Sequence, residues 1–235
     1  MLTNSSTAGA CPFKAQHLVF FREQTIFRHF LRKTVEQRKQ LYYHKSMRYE
    51  WKELYNSLKD CQKCSLCENR KNIVVGCGNT KGEIMFIGEG PGRDEDEQGV
   101  PFVGAAGKLL DKMLGAIDLD REKVYIANIV KCRPPNNRTP QESEAVACLP
   151  YLRAQFALVK PKIIVCLGAT AAKYVYDENV RITRDRGVWK NKKGVWILPT
   201  YHPAALLRDE SKKRDAWTDM KLIREKIKEI TDCNE

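Results

Sequence analysis

Hydrophobic and polar positions follow two periods along this chain. EIMFIGEG, VYIANIV, KIIVCLG and VWILPTYHP are short apolar runs bounded by glycine, proline or polar residues, and each predicts a buried strand. Between them, GKLLDKMLGAI and GATAAKYVY carry apolar residues at helical spacing, and a polar helix closes the chain. Thr139 is a candidate helix cap, with Pro140 at the first helical position and Glu142 three residues after the cap. Strands alternating with helices predict an α/β fold, a three-layer sandwich around a central, mostly parallel four-stranded sheet. Ligands of such sheets collect at the carboxyl ends of the strands. Here those ends are GEGPG, Asn128, Gly168 and His202, so the distinctive residues fall where a site belongs.

The first part of the chain reads differently. Residues 1–60 hold eleven Lys/Arg and five Asp/Glu, half of the net +12 of the whole 235-residue chain. FREQTIFRHFLRKTVEQRKQL spaces Phe, Ile and Leu among basic residues at roughly helical intervals, which predicts a basic helical extension over 1–57 ahead of a domain over 58–235. The positive excess favours a polyanionic partner such as nucleic acid. No apolar run approaches the length of a membrane span, so no membrane partner is expected. The N-terminus lacks the layout of a secretory signal, which favours a cytoplasmic setting, with an organelle-targeting role for the Arg- and Phe-rich segment left open. A monomer is expected.

Nine cysteines without an export signal point to a reducing compartment, where metal ligation and packing are commoner than disulfides. Cys61 and Cys64 form a C-x2-C pair, and Cys132 and Cys148 lie far downstream. Two pairs brought together by the fold would make a four-thiolate site, suited to zinc or to an iron–sulfur cluster. Cys67 extends the first pair and can compete as a ligand, whereas Cys166 sits in an apolar strand and reads as packing.

The segment 88–107, GEGPGRDEDEQGVPFVGAAG, combines glycines with carboxylates. A dinucleotide fingerprint would need a glycine at position 93, which is Arg, and Pro91 interrupts the turn; the Walker pattern is absent. Acids in the loop would repel a bare phosphate, so a different ligand is required.

GEGPGRDEDEQGVPFVGAAGKLL, NIVKCRPPNNRTP and HPAALLR, in this order and with these cysteines, resemble a family-4 uracil-DNA glycosylase over roughly residues 58–230. That resemblance implies a DNA repair enzyme with a [4Fe–4S] cluster, acting on single- or double-stranded uracil-containing DNA. It would flip uracil out and hydrolyse its glycosidic bond, leaving an abasic site. It implies cluster ligation by Cys61, Cys64, Cys132 and Cys148. Gly90 and Gly92 would close around the base, Phe102 would stack on it, and Asn128 would read its N3–H and O4 edge. His202 would stabilise the departing uracil anion through O2. Glu89 and Glu95 are the candidate catalytic acids, because the acid that other uracil glycosylases carry before the loop proline is Gly90 here. One of the two can instead crowd the base to exclude thymine. Leu206 and Arg208 would contact DNA beside Leu207, while Lys131, Arg133 and Arg138 fit phosphate contacts. Asp94, Asp96 and Glu97 read as a solvated loop face. A related crosslinking group carries a histidine in an extra loop after the second strand, which CRPPNNRTP lacks, so turnover is expected. The alternatives are a non-catalytic iron–sulfur DNA-binding protein with a glycosylase fold, and a zinc-stabilised nucleic-acid-binding protein.

Overall fold

The protein, a computed structural model, is described for residues 50–232; the basic extension expected over 1–57 lies outside the described residues as far as residue 49. The four apolar runs form β2 (Ile84–Gly88), β3 (Val124–Asn128), β4 (Ile163–Leu167) and β6 (Val195–Thr200). They pair in parallel in the spatial order β3-β2-β4-β6, with Gly88 opposite Asn128 and Leu167 opposite Thr200. The sheet is wider than the four strands expected. Short antiparallel strands β1 (Cys77–Gly78) and β5 (Lys190–Lys192) border β3 and β6, giving six strands among the described residues. β1 is too short to carry a period. β5 is polar and joins β6 through Lys193 and Gly194, both at positive φ, as a two-residue hairpin turn demands.

Alternate residues of each strand face opposite layers. Met85, Ile87, Tyr125, Ala127, Ile164 and Cys166 pack with residues of α1 (Trp51–Lys59), α4 (Glu142–Val159) and α5 (Gly168–Val175). Phe86, Ile126 and Val165 pack with α3 (Ala105–Gly115) and α8 (Lys213–Asp232). Two apolar faces covered by helices give the three-layer sandwich. Shorter helices α2 (Arg93–Gln98), α6 (Ile182–Asp185) and α7 (Pro203–Arg208) lie in the connections. No helix among the described residues is long and apolar enough to cross a membrane.

Helix α1 crosses the expected boundary at residue 57. Leu54 and Leu58 are buried in the core beside α4. The expected cap of α4 also moves. Thr139 and Pro140 precede the helix, and Gln141 is the cap, its N–H donating to Glu144 Oε2 at 2.7 Å. Glu144 is reserved by Arg138, whose two terminal nitrogens lie 2.7 and 2.8 Å from its oxygens.

Candidate active site

The carboxyl ends of β2, β3 and β6 open into one cleft of about 550 Å³. Glu89, Gly90, Phe102, Asn128 and His202 line it together, with Gly92 and Glu95 on the same wall. Asn128 is the last residue of β3, buried in strand surroundings, and its side-chain Oδ1 has no hydrogen-bond partner among the described residues. A buried amide oxygen left without a donor is costly, of order 1–3 kcal/mol, and calls for a ligand N–H. Gly88 makes the approach possible. A Cβ there would stand 2.5 Å from Asn128 Oδ1 and 2.6 Å from the tip of the Phe102 ring.

Phe102 is buried and holds a positive φ of 56°, a backbone state that costs an aromatic residue about 1–3 kcal/mol. Its ring stacks beside the His202 imidazole, with centroids 5.5 Å apart. His202 caps α7, its Nδ1 accepting from the Ala204 N–H at 3.1 Å. Burial, followed by the positive charge of Arg208, lowers the pKa of His202 to about 4. The ring is therefore neutral at pH 7, with its proton on Nε2 as a donor.

The two glutamates differ. Glu89 Oε2 accepts from the Thr170 hydroxyl on the first turn of α5. Both Glu95 oxygens are occupied by main-chain amides: Gly92 at 3.0 Å, and Val103 and Gly104 each at 2.9 Å. Glu95 thus ties the glycine loop to the segment that carries Phe102. Asp96 is not part of a solvated face: it is buried, and its Oδ1 accepts from the Lys71 and Asn72 amides at 3.0 and 3.3 Å.

A family model described as the uracil DNA glycosylase superfamily matches residues 75–221. This chain belongs to the uracil-DNA glycosylase superfamily. It is 51% identical over 174 residues to a type-4 uracil-DNA glycosylase of Sulfurisphaera tokodaii, covering 70% of this chain and 79% of that relative. It is 45% identical over 181 residues to one of Archaeoglobus fulgidus, covering 74% and 91%. It is 49% identical over 158 residues to one of Thermotoga maritima, covering 66% and 81%.

Away from the cleft of this glycosylase-superfamily member, Cys61, Cys64, Cys132 and Cys148 line one recess, and Cys67 joins them. Among the described residues, no group of three or more His, Cys, Asp or Glu is placed to hold a single metal ion. Three of the sulfurs receive hydrogen bonds: Cys61 from the Tyr151 hydroxyl at 3.2 Å, Cys132 from Arg70 at 3.5 Å and Cys148 from the Lys131 amide at 3.3 Å. Burial pushes the Cys148 thiol up to about 11, against the pull of Lys131. Lys131 does not reach DNA phosphates, because its side chain is wholly buried. Its ammonium donates to the Asn128 carbonyl at 2.7 Å and to Gln155 Oε1 at 2.6 Å, with no carboxylate in ion-pair range among the described residues. Burial lowers it to about 8, opposed by Cys148 and Cys132.

Leu206 is 2% exposed and packs under α7 with Tyr201 and Ala216, so it is not free to enter a duplex. Leu207 is 48% exposed and Arg208 lines the cleft. Arg133 and Arg138 are engaged by Asn137 and Glu144, respectively. Sequence reasoning missed Thr170, which has no local signal in GATAAK and becomes visible only through its bond to Glu89.

Proposed function

We propose that this chain excises uracil from DNA, acting as a monofunctional glycosylase in base excision repair. The observation that carries this reading is the unpaired Asn128 Oδ1 at the floor of a cleft that also holds a neutral imidazole donor. The names of the relatives, type-4 uracil-DNA glycosylases, support it.

The target nucleotide must leave the stack to reach such a cleft. Phe102 stacks on the flipped base between the close walls at Gly90 and Gly92. Asn128 Oδ1 accepts from uracil N3–H while its amide nitrogen donates to O4; cytosine presents the opposite polarity at both positions and is refused. Breaking the bond between C1′ and N1 leaves the electron pair on uracil and positive charge on the sugar. The His202 Nε2–H donates to O2 and stabilises the leaving anion, as a preorganised donor does for any developing oxyanion. Glu89, aligned by Thr170, faces the developing sugar cation and takes a proton from the water that adds to C1′. Glu95 supports the loop through its three amide bonds. Leu207, rather than Leu206, fills the gap in the duplex, with Arg208 beside it on the DNA side.

The cysteine recess fits a [4Fe–4S] cluster on Cys61, Cys64, Cys132 and Cys148. Its support is the soft donor set, the hydrogen bonds to three sulfurs, and the buried Lys131 ammonium, which Cys148 and Cys132 would offset as thiolates. When bound, the group would supply a structural crosslink from the segment before β1 to the β3–α4 connection, through Cys132, and to helix α4, through Cys148. Cleavage of the glycosidic bond requires no electron. We place the enzyme in the cytoplasm as a monomer acting on single- or double-stranded DNA, a setting in which its free thiols stay reduced.

A single-stranded oligonucleotide carrying one uracil, incubated in EDTA and then treated with alkali, tests the activity. Strand breakage only after alkali is expected, and free uracil appears in the supernatant. No uracil release from protein that folds and carries its iron would refute the reading.

A further inference from the structure

We propose that Arg121 is a positioning residue for base stacking: its guanidinium clamps the Pro101–Phe102 backbone and so aims the Phe102 ring into the cleft. The proposal rests on the stacking role given to Phe102 above. Arg121 itself is not on the cleft wall. It lies in the connection between α3 and β3, and all five of its N–H donors are engaged. Nε and Nη2 reach the two Asp111 oxygens at 2.7 and 3.4 Å. Nη1 donates to the Pro101 carbonyl at 3.0 Å and to Cys77 Sγ at 3.7 Å, and Nη2 donates also to the Phe102 carbonyl.

Two consecutive carbonyls are therefore held by one planar fork, which a lysine ammonium cannot reproduce. The Phe102 carbonyl is confined from the other side as well: a Cβ at Gly107 would stand 1.7 Å from it, so helix α3 presses directly on that oxygen. Residue 102 sits at φ 56°, a state that persists in an aromatic residue only where its surroundings over-determine it. Arg121 and Gly107 are those surroundings. With the peptide fixed, the ring lies against Gly88 and beside His202. Released, the backbone relaxes to negative φ and carries the ring away from the cleft.

Excision kinetics and inhibition by free uracil, measured for Arg121→Lys, Phe102→Ala and the double variant, test the clamp. Arg121→Lys is expected to lower kcat/KM and to weaken uracil inhibition, each by about tenfold, a part of the full stacking contribution. In the Phe102→Ala background the same change is expected to cost less than about twofold, because the two residues act as a unit. Equal losses in both backgrounds, or native uracil inhibition in Arg121→Lys, would overturn the proposal. Native kinetics in Phe102→Ala would instead overturn the stacking role itself. Asp111→Asn loosens the same guanidinium from the solvent side and serves where Arg121→Lys fails to fold. Weakened uracil inhibition is expected there, and unchanged inhibition counts against the clamp.

Discussion

His202 accepts the Ala204 amide through Nδ1, so protonation there would break the cap of α7 and place a cation in the cleft together. Its folded pKa of about 4 lies below the ordinary 6.5. The stability that neutral His202 contributes is thus complete above pH 6.5 and is lost as the pH falls through 4. A pH profile of kcat/KM should stay level from pH 7 to about 5 on account of this residue and fall near pH 4; an acid limb centred at 6.5 would contradict the buried, neutral ring. His202→Ala should slow excision by about 10²–10³-fold, the usual loss for one donor to a developing anion. Asn128 and His202 were legible in the sequence because each ends an apolar strand run inside a distinctive motif. Arg121 and Thr170 were not, because a polar residue in a loop or on a first helical turn gains its meaning from a partner far away in the chain.

At the scale of elements, α7 separates two leucines that the sequence sets side by side. Leu206 faces Tyr201 and Ala216, and Leu207 faces solvent. Leu206→Ala should therefore cost about 2–5 kcal/mol of stability, read by denaturant unfolding. Leu207→Ala should stay within about 0.5 kcal/mol of the parent and lose activity on duplex uracil more than on single strands. The reverse pattern would restore Leu206 as the wedge. One turn of helix decides the matter, and HPAALLR is too short for periodicity to show which face is buried. The same limit explains the missed edge strands, whereas the four parallel strands were readable because each carries four or five consecutive buried residues in an apolar run. The cap of α4 shifted from Thr139 to Gln141 because Glu144, with Arg138 holding it, outcompetes the local signal of a threonine before proline.

Across the whole molecule, the end of β3 and the four residues after it link the cleft to the cysteine recess. Asn128 ends the strand and lines the cleft, Lys131 sits within the core, and Cys132 lines the cysteine recess, so the proposed base-reading residue and a proposed cluster ligand lie within one stretch of five residues. Both sets of candidates could be named from the sequence but not their connection through Lys131, since a lysine beside a polar loop carries no mark of burial. Asn128 Oδ1 has one further consequence. The free protein keeps a sheltered acceptor that a matching N–H can fill, so the right base should tighten the entire fold. A base at one hundred times its dissociation constant adds about 2.7 kcal/mol to stability. Uracil should raise the melting temperature of the intact protein, cytosine should not, and Asn128→Ala should abolish the rise. Heating alone would then rank the bases by fit, with no DNA in the tube.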